Sequence, residues 1–594
     1  MTVVRYRVQP ADPGAHVFAV RCEIAAPDKA GQLFRLPSWI RGSYLVRDFA
    51  KHVIAVRAHG GGQQVAIERL DKSTLRCTPC AGPLSLEYSI YAYDESVRKA
   101  YLDLRRGFFN GSSLFYCPAG FERARFEVDI ERASDPGCRH WRLATTLTPM
   151  DVDAGGFGSY AADGYEELID HPVEMSAFEQ VDFEVDGVPH AMVLSGRCEA
   201  DAERLTRDLK KICHVQRELF GQEPALTRYL FLTRVVGGGY GGLEHRSSTA
   251  LICSRNDLPQ PDQAEFTKDY RGFLGLCSHE YFHLWNVKRI TAQAFLDSDL
   301  AREAYTRDLW HYEGITSYYD DLMLLRAGVL DPAAYLDVLA ENATRLSRSP
   351  GHKLQTLADA SFEAWIKYYQ PDENTPNAAV SYYVKGALAA LCLDLHLRRH
   401  SSSTLDDVMR TLWKRYGRDG IGVPEGGLET VAAEISGFDL KPQFDLWLRS
   451  TKDLPLADLL AEFGVKAERR AVVSETDAGG RSAGKSAAAA LGLKLRPGET
   501  AVAFVTAGGP AQRAGLSAGD QLVALDGLKL TASNWPRQLL GLRPGRDYLL
   551  HYFRGDELLR ATVHAEPPPL DTWTITLTVA EGEMLARRKA WLGC

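Results

Sequence analysis

Leu276-Cys277-Ser278-His279-Glu280-Tyr281-Phe282-His283 is the run from which the rest of the chain is read: an HExxH box inside a helical stretch. His279 and His283 stand four residues apart, so on a helix both imidazoles leave one face, one turn apart. Two nitrogen donors so placed suit a tetrahedral zinc ion. Glu280, beside the first of them, can take a proton from a water without ligating the metal. The same letters also occur by chance in long chains, where they are only a buried helix with two histidines. Other pieces must therefore agree with the box.

A catalytic zinc takes three protein ligands and keeps a fourth position open. The carboxylates that follow are Asp297, Asp299, Glu303, Asp308 and Glu313. Glu303 lies in Leu300-Ala301-Arg302-Glu303-Ala304, which reads as an ordinary solvated helix face. Glu313 sits in Trp310-His311-Tyr312-Glu313-Gly314, an aromatic setting followed by a glycine that leaves room for an ion. Context favours Glu313.

At 594 residues, 45% hydrophobic and 25% charged, the chain has the make-up of a globular protein of several domains. Its net charge of −8 is mild, and no Lys/Arg block of the kind that follows a phosphate backbone is present, so nucleic acid is not expected as a partner. The N-terminus alternates like a strand, without a signal-peptide core, and no apolar run approaches the ~18 residues of a membrane span. A cytoplasmic location away from membranes is the expectation. The 11 cysteines are scattered and odd in number, which fits reduced thiols better than a disulfide framework. Cys77 and Cys80 form a lone CxxC, read as part of a turn.

Residues 1–172 are expected to form a β-rich domain, from alternating segments such as Val17–Ile24 and Leu84–Tyr91 separated by Gly, Pro and Asp turns. Two stretches there, Ser38 to Phe49 and Ser96 to Gly111, carry more aromatics and arginines than strands need; most are packing residues, and a minority could line a cleft. Near residue 200 the period changes to a helical stripe of Leu205, Leu209, Ile212, Leu219 and Phe220. A buried strand, Tyr229–Val236, then runs into Gly237-Gly238-Gly239-Tyr240-Gly241-Gly242-Leu243-Glu244-His245. The glycines satisfy GxGxxG after a strand, but Ser247–Ile252 is again strand-like and offers no helix N-terminus to a pyrophosphate. Glycines here would instead let a substrate backbone approach an edge strand. From Glu265 to Leu330 the pattern predicts helices, including one over Ala301 to Leu325, with more helices to residue 475. Thr476 to Ala490 reads as a linker, and a compact unit closes the chain to residue 594.

HEYFH, Trp310-His311-Tyr312-Glu313-Gly314, Gly241-Gly242-Leu243-Glu244-His245 and Tyr383-Val384-Lys385-Gly386 together resemble thermolysin-like aminopeptidases. Within that group the chain is most similar to the glycyl aminopeptidase family. The resemblance implies a multi-domain α+β protein: a β-rich domain over 1–172, a mostly helical zinc-peptidase domain over 173–475, and a linker, PDZ domain and tail over 476–594. It implies one Zn2+ per chain on His279, His283 and Glu313, Glu280 as general base, and Tyr383 as donor to the oxyanion. It assigns Glu244, with Gly241 and Gly242, to the substrate's free amine, and suggests preference for N-terminal glycine or another small residue. Leu243 and His245 depart from the methionine and asparagine of the usual amine-binding segment. Gly508-Gly509-Pro510-Ala511 through Gly519-Asp520 is similar to a PDZ pattern, whose strand at Leu491–Leu495 could take a peptide C-terminus or serve only as an appendage.

The resulting expectation is a zinc aminopeptidase acting on peptides with a free N-terminus. An endopeptidase that recruits polypeptides through its PDZ domain and an inactive PDZ-containing binding protein are the rival readings. Assembly into homo-oligomers stays open.

Overall fold

A computed structural model of the chain describes residues 3–482, Gly484 and residues 486–594. It divides into two compact units, one running to Tyr305 and taking in Leu412–Pro424, the other made of Thr306–Thr411 and Glu425–Cys594.

The first unit opens with an eight-stranded sheet. Val3–Asp12 lies inside it, parallel to Arg125–Ile130 and antiparallel to Val17–Ile24. Strict alternation in these strands buries Val4, Tyr6 and Val8 while Arg5 and Arg7 face solvent, as a period of two requires. After two four-stranded sheets, a five-stranded sheet follows in the spatial order Glu179–Val185, Val188–Ser195, Tyr229–Val236, Ser248–Ser254, Gly241–Glu244. Its three middle strands are parallel, and the helix Ala202–Leu219 makes the first crossover between them. Gly241–Glu244 is an antiparallel strand at the sheet's edge. The glycine-rich segment therefore ends in a strand, and no helix starts where a dinucleotide would need one.

Helix Lys268–Phe282 packs against that edge. Thr267 caps it by accepting a hydrogen bond from the Tyr270 N–H at 3.1 Å, and Asp269 places a negative charge in its first turn.

The helix expected over Ala301 to Leu325 forms only in its second half. In the second unit Trp310–Gly314 is a turn of π-helix leading into an α-helix over Ile315–Arg326. The preceding residues are held by side chains instead. The Glu425 carboxylate accepts from Arg307 N–H at 2.6 Å and from the Thr306 hydroxyl at 2.8 Å, and Asp308 accepts from Gly426 N–H at 2.7 Å. The Arg307 N–H is thereby satisfied outside a helix. Further back, in the first unit, the Arg302 carbonyl accepts from the Trp39 indole at 2.8 Å.

The rest of the second unit is helical up to residue 461, with Val384–His400 running against the π-turn. Strand Val465–Arg470 pairs with Thr572–Leu577, and between them in sequence sits the unit expected to be a PDZ domain, with its own core around Val502, Leu522, Leu550 and Val563. Asn377 clamps its backbone, donating to Val505 O and accepting from Ala507 N–H, both at 2.9 Å. The stretch read as a linker includes Ala483 and Lys485, which lie outside the described residues. Its described part is tethered: Asp477 pairs with Arg470 at 2.5 Å and Arg481 with Asp337 at 2.7 Å.

Among the described residues no helix is long and apolar enough to cross a membrane. All 11 cysteines are free thiols.

Candidate active site

The HExxH box occupies the last turn of helix Lys268–Phe282. His283 N–H still bonds back to His279 O at 3.2 Å, so the helical spacing holds through the second histidine. The two imidazole rings lie 4.6 Å apart, centre to centre. His283 is fully buried and His279 half-buried.

The tautomer of His283 is fixed from behind. Its Nδ1 lies 2.8 Å from the Asn286 carbonyl, which makes Nδ1 the protonated nitrogen and leaves Nε2 as a donor to an ion. The turn that presents this carbonyl is unusual: Val287, a β-branched residue, has φ of +94°. Such a conformation is costly outside glycine and persists only where surroundings enforce it. Here the Val287 and Lys288 N–H groups bond to Ile290 O at 3.0 Å and His283 O at 3.2 Å. Lys288 also pairs with Asp170 at 2.5 Å. Against the cost of burial, Lys288 and His245 hold the Asp170 carboxyl well below the usual range. Asp170 thereby joins the turn behind His283 to the end of the edge strand, since it also accepts from Arg246 N–H at 3.0 Å and lies 3.2 Å from His245 Nδ1.

The edge strand brings Glu244 to the same place. Ligand atoms of Glu244, Glu280 and His283 all lie within 4.8 Å of one another, and all three residues are buried. Among the described residues, Glu244 Oε1 has no hydrogen-bond partner. Two carboxylates so close in a dry setting call for positive charge between or beside them. Thr249, on the neighbouring strand, places its hydroxyl 3.5 Å from Glu280 Oε2.

Two glycines make room for these acids. A Cβ on Gly242 would stand 2.0 Å from Glu280 Oε1, and one on Gly42 would stand 2.1 Å from Glu244 Oε1. The space over Gly242 is thus filled by the Glu280 carboxylate.

In the second unit, Glu313 is buried in the π-turn Trp310–Gly314. Gly314 meets Gly386 so closely that a Cβ would fall 2.6 Å from its Cα, which seats the π-turn on the helix that begins after Tyr383. The Tyr383 hydroxyl lies 2.9 Å from that of Tyr369, and Tyr382 donates to Tyr369 at 3.2 Å. Burial, then the nearby charge of Glu313, push Tyr383 well above the ordinary phenol range, so it keeps its proton and can donate. Glu303, the rejected carboxylate, lies in a segment with neither helix nor strand.

Sequence reasoning did not single out Asp170, Thr249, Asn286 or Tyr369. Asp170, Thr249 and Tyr369 are brought in from distant elements, and Asn286 acts through its backbone carbonyl, which no residue type marks.

A helix bearing two histidines one turn apart is thus laid against a mixed sheet whose edge strand ends in a buried acid. Comparison with family models matches residues 5–177 to the Peptidase M61 N-terminal domain, 272–389 to M61 glycyl aminopeptidase, and 489–564 to a PDZ domain. Among solved structures, an aminopeptidase N family protein from Idiomarina loihiensis is 38% identical, over 99% of this chain and 100% of that one, with a TM-score of 0.95. An M1 zinc metallopeptidase from Deinococcus radiodurans is a looser likeness, at 14% identity over 76% of this chain and 95% of that one, with a TM-score of 0.49. No curated protein matches. The chain belongs to the M61 glycyl aminopeptidase family, and it is a peptidase.

Proposed function

We propose that the protein is a zinc aminopeptidase that removes the first residue of peptides, with glycine or another small residue preferred at that position. The observation that carries this reading is the buried Glu244 carboxylate, unpartnered at Oε1 and within 4.8 Å of Glu280 and His283. A fixed anion there rewards a free ammonium and leaves an internal peptide bond facing an unpaired buried charge.

His279, His283 and Glu313 are the proposed ligand set. The donor chemistry fits zinc: two imidazoles, one with its tautomer fixed by Asn286, and a buried carboxylate. When bound, zinc supplies a Lewis acid that acidifies the attacking water and polarises the substrate carbonyl. Glu280 accepts a proton from that water as its oxygen attacks the carbonyl carbon. Glu280 then returns the proton to the amine nitrogen as the C–N bond breaks. Tyr383, which stays protonated, donates to the oxygen that gains negative charge. Glu244 holds the ammonium, and His283 is kept in register by the Asn286 turn.

The family description supports the glycine preference, and the PDZ domain is read as an accessory that could take a peptide C-terminus. The test is a matched pair of substrates. Free glycyl dipeptides should be hydrolysed at least ~100-fold faster than their N-acetylated forms, and Glu244→Ala should erase most of that ratio. Equal hydrolysis of both forms by the native enzyme would make it an endopeptidase.

A further inference from the structure

Arg98 has no carboxylate partner among the described residues, yet it sits over the edge strand that carries Glu244. Its Nη2 donates to Gly242 O at 3.0 Å. Its Nη1 lies 3.8 Å from where a Cβ on Gly241 would stand. Its Nε is buried and has no hydrogen-bond partner among the described residues. An arginine so placed is a charge and a donor held in readiness, since a buried donor without an acceptor is unfavourable. The loop that bears it is fixed. Asn110, itself fully buried, donates to Val97 O at 2.7 Å, Ser96 accepts from the Arg98 N–H at 3.4 Å, and Lys99 pairs with Asp94 at 2.7 Å.

The edge strand acts as a ruler between Arg98 and Glu244. A strand advances about 3.3–3.4 Å per residue, so Gly242 and Glu244 are about 7 Å apart along it, and Gly241 about 10 Å away. An extended dipeptide spans about 7 Å and a tripeptide about 10 Å from amine to carboxylate. A substrate added antiparallel to this edge, with its amine at Glu244, runs toward Gly242 and Gly241. We propose that Arg98 receives the substrate's C-terminal carboxylate and that the enzyme's substrates are di- and tripeptides, gauged between Glu244 and Arg98. Guanidinium and carboxylate pair through two parallel hydrogen bonds, for which Nη1 and the second hydrogen of Nη2 provide donors. This inference rests on the reading of Glu244 given above.

The experiment compares glycylglycine, its C-terminal amide, its N-acetyl form, triglycine and a glycine pentapeptide, on the native enzyme and on Arg98→Ala and Arg98→Lys. In the native enzyme kcat/KM for the free acid should exceed that for the amide by roughly 10- to 100-fold, mostly through KM. The di- and tripeptide should exceed the pentapeptide. Arg98→Ala should bring the acid-to-amide ratio toward one, and Arg98→Lys should keep part of it. A native enzyme indifferent to the C-terminal charge overturns the proposal, even if neither variant folds. So does an Arg98→Ala enzyme that loses acid and amide alike. Failure of the Glu244 reading shows separately, as equal hydrolysis of the N-acetyl and free forms.

Discussion

Replacing Gly242 by alanine would test the arrangement of the two acids with one methyl group. The added carbon would stand 2.0 Å from Glu280 Oε1, 2.3 Å from its Cδ and 2.7 Å from its Cγ. Ordinary contacts begin at about 3.0 Å or more, so the carboxylate must retreat by about 1 Å. Glu280 is only 5% exposed, and its movement has little slack. A displacement of about 1 Å in a reacting group lowers rate by about 10²-fold, within the ~10²–10⁴-fold that a general base contributes. Overpacking adds a stability loss of about 1–3 kcal/mol. The expected outcome is a folded protein with kcat reduced by about 10²-fold on glycine p-nitroanilide and its metal retained, read by steady-state kinetics and elemental analysis. Because the clashing atoms all belong to Glu280, Glu280→Ala should restore stability to the Gly242→Ala protein in a denaturation series. A Gly242→Ala enzyme with kcat within threefold of native, or a double variant no more stable than the single one, would show that the Glu280 carboxylate does not fill the space over Gly242.

Gly42→Ala directs the same kind of clash at Glu244, 2.1 Å away, and at a backbone φ of +93° that alanine resists. It should raise KM for free-amine substrates by tenfold or more and narrow their advantage over acetylated ones, measured on matched pairs. Asp308 offers a pH test. Burial, with Glu425 and Glu429 nearby, raises its carboxyl to about 7. Its protonated form is therefore the one the fold favours, and the stability it contributes is complete below about pH 4 and lost as pH rises through 7. Asp308→Asn, which keeps an acceptor for Gly426 N–H, should remove a decline of order 2–4 kcal/mol between pH 5 and 8 in urea unfolding. An unchanged pH slope would mean that Asp308 titrates normally.

The sequence made the local parts of this molecule plain. Spacing alone places His279 and His283 on one helical face, and alternation marks Val3–Asp12 and Val17–Ile24 as half-buried strands. The glycine cluster could be separated from a dinucleotide loop because the β-branched residues after it pointed to a strand. What local patterns hide is anything determined by a distant partner. Gly242 is a glycine because of Glu280, and Gly42 because of Glu244, pairs that meet only after the sheet and helix pack. Residues 306–308 look helical from their own letters, but the Glu425 carboxylate, more than a hundred residues later, takes the Arg307 N–H and the Thr306 hydroxyl. The π-turn at Glu313 and the left-handed Val287 have no sequence signature for the same reason. Both are backbone conformations imposed by surrounding contacts.

Glu280→Gln probes the chemistry most directly, since it keeps the shape of the side chain and removes its ability to take a proton. One zinc per chain, unchanged from native, is expected, with hydrolysis of glycyl substrates reduced by about 10²-fold or more. A Glu280→Gln enzyme that turns over at the native rate, or one that loses its metal together with its activity, would contradict it.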